Sequence, residues 1–122
     1  MKLSLSASGV SILLELWDTP TARAVFEAAP FEGRAQTWGE EVYFETPVSA
    51  KLEADAKQVV PPGTVCFWTE GNSLALPWGR TPVSEGDEPR LVTRCNVLGA
   101  IDGDPRQLAS VRGGDDITVS LE

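Results

Sequence analysis

Four aromatic residues are the side chains of this sequence best suited to chemistry at a binding site. Trp38, Tyr43, Trp68 and Trp78 fall at predicted strand ends or on strand faces opposite the most regular apolar rows. Aromatic residues in such places line grooves for small molecules, because each ring combines an apolar body with a polar edge. The alternative interpretation is that they cap the ends of the fold as ordinary packing.

Arg80 stands beside aromatic residues in a segment that is otherwise acidic. A guanidinium group next to aromatic rings offers a fixed fork for a carboxylate and a planar face for stacking. The sequence therefore predicts that a ligand would be a small anion with an apolar body, held between Trp68, Trp78 and Arg80. The competing interpretation is an exposed ion pair of Arg80 with Glu85 or Asp87 that only fixes the loop.

Other polar side chains extend the set of candidates. Asn72 follows a glycine between two apolar runs, so its amide either holds a ligand carbonyl or carboxylate, or simply makes the turn. The candidates for a general base or a metal ligand are glutamates: Glu40, Glu41, Glu45 and Glu53. A carboxylate base requires burial that raises its pKa. Nothing in the sequence indicates such burial, so we expect these carboxylates to be solvated charges.

The chain lacks most of the residues that usually build catalytic, metal and cofactor sites. The chain has no histidine, and Cys66 and Cys95 do not form a CxxC pair. Zinc sites are built mainly from histidine and cysteine. The 102–104 segment begins like a calcium-binding loop but lacks the glutamate that ends such a loop. The chain also has no glycine-rich loop of the kind that binds phosphate. We therefore predict no catalytic residue, no metal and no cofactor. The cysteines are expected to be buried reduced thiols, with a disulfide as the alternative.

Length and charge restrict the class of protein. The 122 residues suffice for one hydrophobic core, so we expect a single domain over residues 1–122. A net charge of −8 opposes binding to nucleic-acid phosphates or anionic lipid. The apolar run at the N-terminus is interrupted by serines and by Glu15, unlike a signal peptide, and no stretch is apolar enough to span a bilayer. These features predict a cytoplasmic protein that binds neither nucleic acid nor membrane.

Strand patterns occupy most of the chain. Segments that alternate with a period of two, or are rich in β-branched and aromatic residues, predict strands in this order: 2–7, 10–16, 31–37, 41–46, 64–68, 74–78, 95–101 and 117–121. The 64–68 and 74–78 runs face each other across Gly71 and Asn72, which predicts a hairpin.

Helix signals are confined to two places. Asp18 or Thr19 can cap a helix that has Pro20 in its first turn and that stops at Pro30. An apolar stripe with the spacing i, i+3, i+4, i+7 would face the core: Ala22, Val25, Phe26 and Ala29. A second, short helix is expected at 106–111. About eight strands with these helices predict a mainly β fold, a closed or nearly closed barrel whose ends are capped by the helices.

A set of short motifs runs along nearly the whole chain: DTPTA at 18–22, WGEEVYF at 38–44, PGTVCFW at 62–68, EGNSLAL at 70–76, WGRTP at 78–82 and NVLG at 96–99. In order and spacing, this set resembles the small bacterial and archaeal cyclophilin-like family. The resemblance implies a cyclophilin-type barrel of about eight strands. It does not imply an activity, because that family has no established one.

Departures from the true cyclophilins bear on activity. Those enzymes are peptidyl-prolyl isomerases whose arginine lies in a Phe-His-Arg context with a downstream glutamine, whereas here Arg34 and Gln36 stand two apart on one predicted strand. Trp78 and Arg80 also replace the phenylalanine and proline usual in the small family. We interpret the chain as a barrel of unassigned activity, more typical of a binding protein than of an enzyme, that binds a small molecule or peptide in a groove beside the 64–78 hairpin. The alternatives are a weak or specialised prolyl isomerase and a non-catalytic interaction or regulatory domain.

Overall fold

Alternating segments of the sequence become antiparallel strands in a computed structural model that describes residues 1–122. The elements, in chain order, are β1 Lys2–Ala7, β2 Val10–Leu16, α1 Pro20–Ala28, β3 Phe31–Arg34, β4 Gln36–Thr37, β5 Glu41–Glu45, β6 Lys57–Val59, β7 Thr64–Trp68, β8 Ser73–Pro77, β9 Arg90–Ile101 and β10 Asp116–Leu121, with 3₁₀ turns at Thr69–Gly71 and Pro105–Ser110. The predicted mainly β class is confirmed.

The sheet curls into a nearly closed barrel. Its strand order is β3-β10-β1-β2-β9-β7-β8-β5-β4, and β6 pairs with β9 beside this path. The two edge strands, β3 and β4, are separated in the chain only by Ala35, which is buried. At Gly33 in β3, an added Cβ would lie 3.1 Å from the carbonyl oxygen of Glu45 in β5. The chain thus passes from one sheet edge to the other within a few residues, and this passage closes the barrel.

Apolar residues from every second strand position fill the barrel interior. The largest fully buried side chains include Phe44, Phe67, Leu74, Leu76 and Leu98. The helix α1 packs onto this core through Ala22 and Val25 and begins as the sequence predicts: the Thr19 side chain accepts a hydrogen bond from the Ala22 N–H, and Pro20 is the first helical residue. No helix combines the length and apolarity that a membrane span requires.

Several predicted boundaries are wrong. The structure has ten strands rather than about eight, because the predicted 31–37 strand breaks at Ala35 and because Lys57–Val59 forms a short strand. β9 begins at Arg90 rather than Cys95, since pairing with β6 extends it into the segment that follows the Gly- and Pro-rich loop. The helix expected at 106–111 is a 3₁₀ turn, Pro105–Ser110, which Asp104 caps through its side chain.

A second apolar cluster, outside the barrel, positions the candidate site. In β7 and β8, Cys66 and Ala75 alternate with residues of the barrel core, so their side chains point outward. They pack with buried residues of β9 and of the segment before β7: Val60, Leu91, Cys95 and Val97. The rings of Tyr43 and Trp68 pack against this cluster, which therefore gives the outer face of the sheet an apolar surface.

Candidate functional site

A pocket of about 160 Å³ opens on the outer face of the barrel over β5, β7, β8 and β9. We call it the outer-face pocket. Its lining is apolar except for one carboxyl group: Trp38, Glu41, Tyr43, Trp68, Ala75, Leu91, Val92 and Cys95. A cavity of about 150 Å³ holds a molecule the size of benzene, so the outer-face pocket suits a small apolar or aromatic group.

Two aromatic walls of the outer-face pocket are fixed by their neighbours. The rings of Tyr43 and Trp68 meet edge to face, with centroids 6.4 Å apart and an interplanar angle of 88°. The Tyr43 hydroxyl donates a 3.0 Å hydrogen bond to Gln36 Oε1. A Cβ at Gly71 would collide with the Trp68 indole, so only glycine lets the 3₁₀ turn lie against that ring. The rings are thus held in place before any ligand arrives.

A turn between β4 and β5 presents the remaining polar and aromatic walls. The Trp38 N–H donates to the Glu41 carbonyl at 3.0 Å, which closes the turn. Glu40 attaches this turn to the loop after β8: its N–H donates to the Arg80 carbonyl at 2.7 Å, and its Oε1 accepts from the Arg80 N–H at 2.9 Å. Its carbonyl also accepts the Trp78 N–H at 2.8 Å. The loop after β8 therefore holds Trp38 and Glu41 in position through Glu40.

Glu41 is the ionisable acid of the outer-face pocket. The residue is 6% exposed, and its Oε1 has no hydrogen-bond partner. Burial raises the pKa of its carboxyl from 4.5 to about 7. The expectation that Glu41 is a solvated charge is therefore wrong. Its strand face is covered, because Trp38 and the early residues of β9 surround it, whereas Glu45 on the same face is exposed.

Two further residues of the lining, Trp68 and Cys95, carry polar groups. The Trp68 Nε1–H is buried without an acceptor. Cys95 lines the pocket as a free thiol, and burial, followed by the charges of Glu41 and Glu70, raises its pKa to about 12. Cys66 beneath it is also free and buried, which confirms the prediction of two reduced thiols. No three His, Cys, Asp or Glu side chains are grouped to hold a metal ion.

The predicted site residues divide into two groups. Trp38, Tyr43 and Trp68 come together in the outer-face pocket, whereas Asn72, Trp78 and Arg80 are not part of its lining. Trp78 packs against the barrel core, and the Arg80 Nη1 lies 4.0 Å from Asp87 Oδ1 at the surface.

Asn72 has the left-handed conformation of a turn residue, with φ of 50°. Its carbonyl accepts hydrogen bonds from the N–H and Oγ1 of Thr46, both at 2.9 Å. Its side-chain oxygen accepts from the Ser49 hydroxyl at 3.3 Å. These contacts give Asn72 a structural role in joining the hairpin to the segment after β5.

Leu91 and Val92 line the pocket but are not among the predicted site residues. They precede the predicted 95–101 strand and belong to no predicted element, although Leu91, Val92 and Thr93 together favour a strand. Asn96, from the NVLG motif, is a buried polar residue for which the sequence predicts no role. Its Nδ2 donates to Thr21 Oγ1 and to the Lys51 carbonyl, each at 2.9 Å, and its Oδ1 accepts from the Glu53 N–H at 2.7 Å. Asn96 thereby fastens α1 and the 49–57 segment to the barrel.

Comparisons with known proteins agree with this architecture. The solution structure of the hypothetical protein AF2241 from Archaeoglobus fulgidus is similar over 100% of this chain and 95% of that chain, with a TM-score of 0.84 and 31% sequence identity. No curated protein sequence matches. The Cyclophilin-like family profile matches residues 1–120. The chain therefore belongs to the cyclophilin-like family.

Proposed function

We propose that this protein binds a small molecule, or one small side chain of a peptide, in the outer-face pocket. The observation that carries the proposal is that two residues of an otherwise apolar lining each have a buried polar atom without a partner, Oε1 of Glu41 and Nε1 of Trp68. Leaving such an atom unsatisfied costs about 1–3 kcal/mol, so buried polar groups are normally paired. A ligand with one donor and one acceptor would remove this cost on binding.

The preformed walls support the same proposal. Trp68 is held by Gly71 and by its edge-to-face contact with Tyr43, and the turn that carries Trp38 is tied to the loop after β8 through Glu40. Little side-chain entropy remains to be lost when a ligand enters a site of this kind. An apolar cavity with a few convergent polar groups is also the usual form of a small-molecule site.

A thermal-shift screen against a metabolite library tests the proposal. A ligand that binds only the folded state, present at 100 times its Kd, adds about 2.7 kcal/mol to the free energy of unfolding. Val92 is 54% exposed at the rim of the pocket, so Val92→Trp should block the mouth without disturbing the core. Val83 is 42% exposed and outside the lining, so Val83→Trp is the matched control.

Hits that shift the Tm of the wild type and of Val83→Trp, and lose the shift in Val92→Trp, would support the proposal. Hits that shift all three proteins equally, or the absence of any hit, would count against a ligand site in the outer-face pocket.

A further inference from the structure

We propose that the ligand is a small organic cation, an alkylated ammonium whose apolar groups lie among the rings of Trp38, Tyr43 and Trp68 and whose charge faces Glu41. This inference rests on the proposed function and specifies the chemistry of the same pocket. It differs from the small anion predicted from Arg80, because Arg80 is not part of the lining.

The aromatic walls favour a cation over a neutral guest of the same shape. The faces of tryptophan and tyrosine rings carry negative potential, so rings grouped around one cavity bind quaternary ammonium groups. Trp38, Tyr43 and Trp68 supply rings of this kind around a cavity of about 160 Å³. That volume accommodates a compact ammonium head and leaves no room for an extended chain.

The charges around the pocket point the same way. Glu41 is buried in the lining with one oxygen unpaired, and no basic residue shares the lining. Of the other titratable groups on the surrounding elements, Tyr43 and Cys95 share the lining with Glu41, and Cys66 on β7 and Glu70 lie near the Cys95 thiol. The remaining ones are bonded elsewhere or exposed: Glu40 accepts the Arg80 N–H, Glu45 is exposed, Arg90 pairs with Glu85 and Glu88, and the Arg94 Nε donates to the Ala56 carbonyl. The charge of a cation would attract the ionised carboxylate, whereas an anion would be repelled by it as a like charge. The net charge of −8 also attracts cations to the surface.

Proton release should accompany cation binding. Burial raises the pKa of Glu41 to about 7 in the free protein, and a bound cation would favour the ionised carboxylate. Below pH 7, binding must therefore expel a proton, so affinity should fall by up to about tenfold per pH unit as the pH decreases. Above pH 7 the carboxylate is already ionised and the affinity should level off.

A set of isosteric probes tests the charge preference by titration calorimetry. Choline, its neutral carbon analogue 3,3-dimethyl-1-butanol and the anion 3,3-dimethylbutanoate share one branched head and differ in charge. We expect choline to bind at least about tenfold more tightly than the neutral probe at pH 8, and the anion to bind most weakly. Glu41→Gln should reduce this preference about tenfold, whereas Glu45→Gln, which alters an exposed carboxylate of the same strand, should leave it unchanged.

Each outcome bears on one of the two proposals. Equal binding of choline and the neutral probe, tighter binding of the anion, or a preference that Glu41→Gln leaves intact would overturn the cation assignment while keeping a ligand pocket. Failure of every probe and every library compound to bind would overturn the pocket itself. A peptide that contains trimethyl-lysine is the last probe. If this peptide binds much more tightly than choline does, the natural cation belongs to a peptide rather than to a free small molecule.

Discussion

Replacing Glu41 with glutamine should stabilise the ligand-free protein at alkaline pH. Burial raises the pKa of its carboxyl from 4.5 to about 7 in the folded state, a difference that corresponds to about 3 kcal/mol. Well below pH 4.5 the carboxyl is protonated in both the folded and the unfolded state, so its burial does not lower the free energy of unfolding through ionisation. As the pH rises towards 7, the unfolded state loses the proton first, so the stability of the wild type falls. Above pH 7 the carboxylate is ionised in both states, and the free energy of unfolding stays lower by the full amount of about 3 kcal/mol.

Urea unfolding from about pH 4 to about pH 9 measures this effect. We expect the wild type and Glu41→Gln to differ little near pH 4, and the variant to be more stable by about 3 kcal/mol near pH 9. The matched control, Glu45→Gln, removes an exposed carboxylate from the same strand and should follow the wild type throughout. A difference between the wild type and Glu41→Gln that does not change with pH would refute the reasoning, because it would mean that the carboxyl stays hydrated in the folded protein.

Three further predictions concern the thiols, the buried amide and the close glycine. Since burial raises the pKa values of Cys66 and Cys95, iodoacetamide should alkylate them far more slowly in the native than in the unfolded protein at pH 8, and equal rates by mass spectrometry would contradict this. Asn96→Ala removes three hydrogen bonds and should lower the free energy of unfolding by about 2–4 kcal/mol in urea, whereas a loss under about 1 kcal/mol would show that the network is dispensable. Gly71→Ala should displace the Trp68 indole and reduce the near-ultraviolet circular dichroism, and an unchanged spectrum would argue against the close packing.

The barrel was predictable because its evidence is local. A period of two along β1, β2, β5 and β10 reports directly that one strand face is buried and the other is not. The same parity predicts that Tyr43 and Trp68 lie off the core face, and the structure brings them together because β5, β8 and β7 are neighbours in the sheet. Trp38 joins them from the turn before β5.

Burial of Glu41 depends on long-range contacts that no local pattern reports. Its carboxyl is covered because the first part of β9, about 50 residues later in the chain, lines the same pocket on the outer face of the sheet. In the same way, the direction of the loop after β8 decides that Arg80 reaches Asp87 rather than the aromatic rings. The sequence therefore indicates which side chains face away from the barrel core, and the strand order decides which of these side chains lie close to one another.

Indole resonances offer the most direct test of ligand binding in the outer-face pocket. In a ¹H–¹⁵N titration with choline at pH 8, we expect the Nε1–H signals of Trp38 and Trp68 to shift with a common Kd. Trp17, which is 49% exposed, and Trp78, which packs on the barrel core, should not respond. A titration that moves the Trp78 signal and leaves that of Trp68 in place would contradict the central claim and would place the ligand beside Arg80 instead.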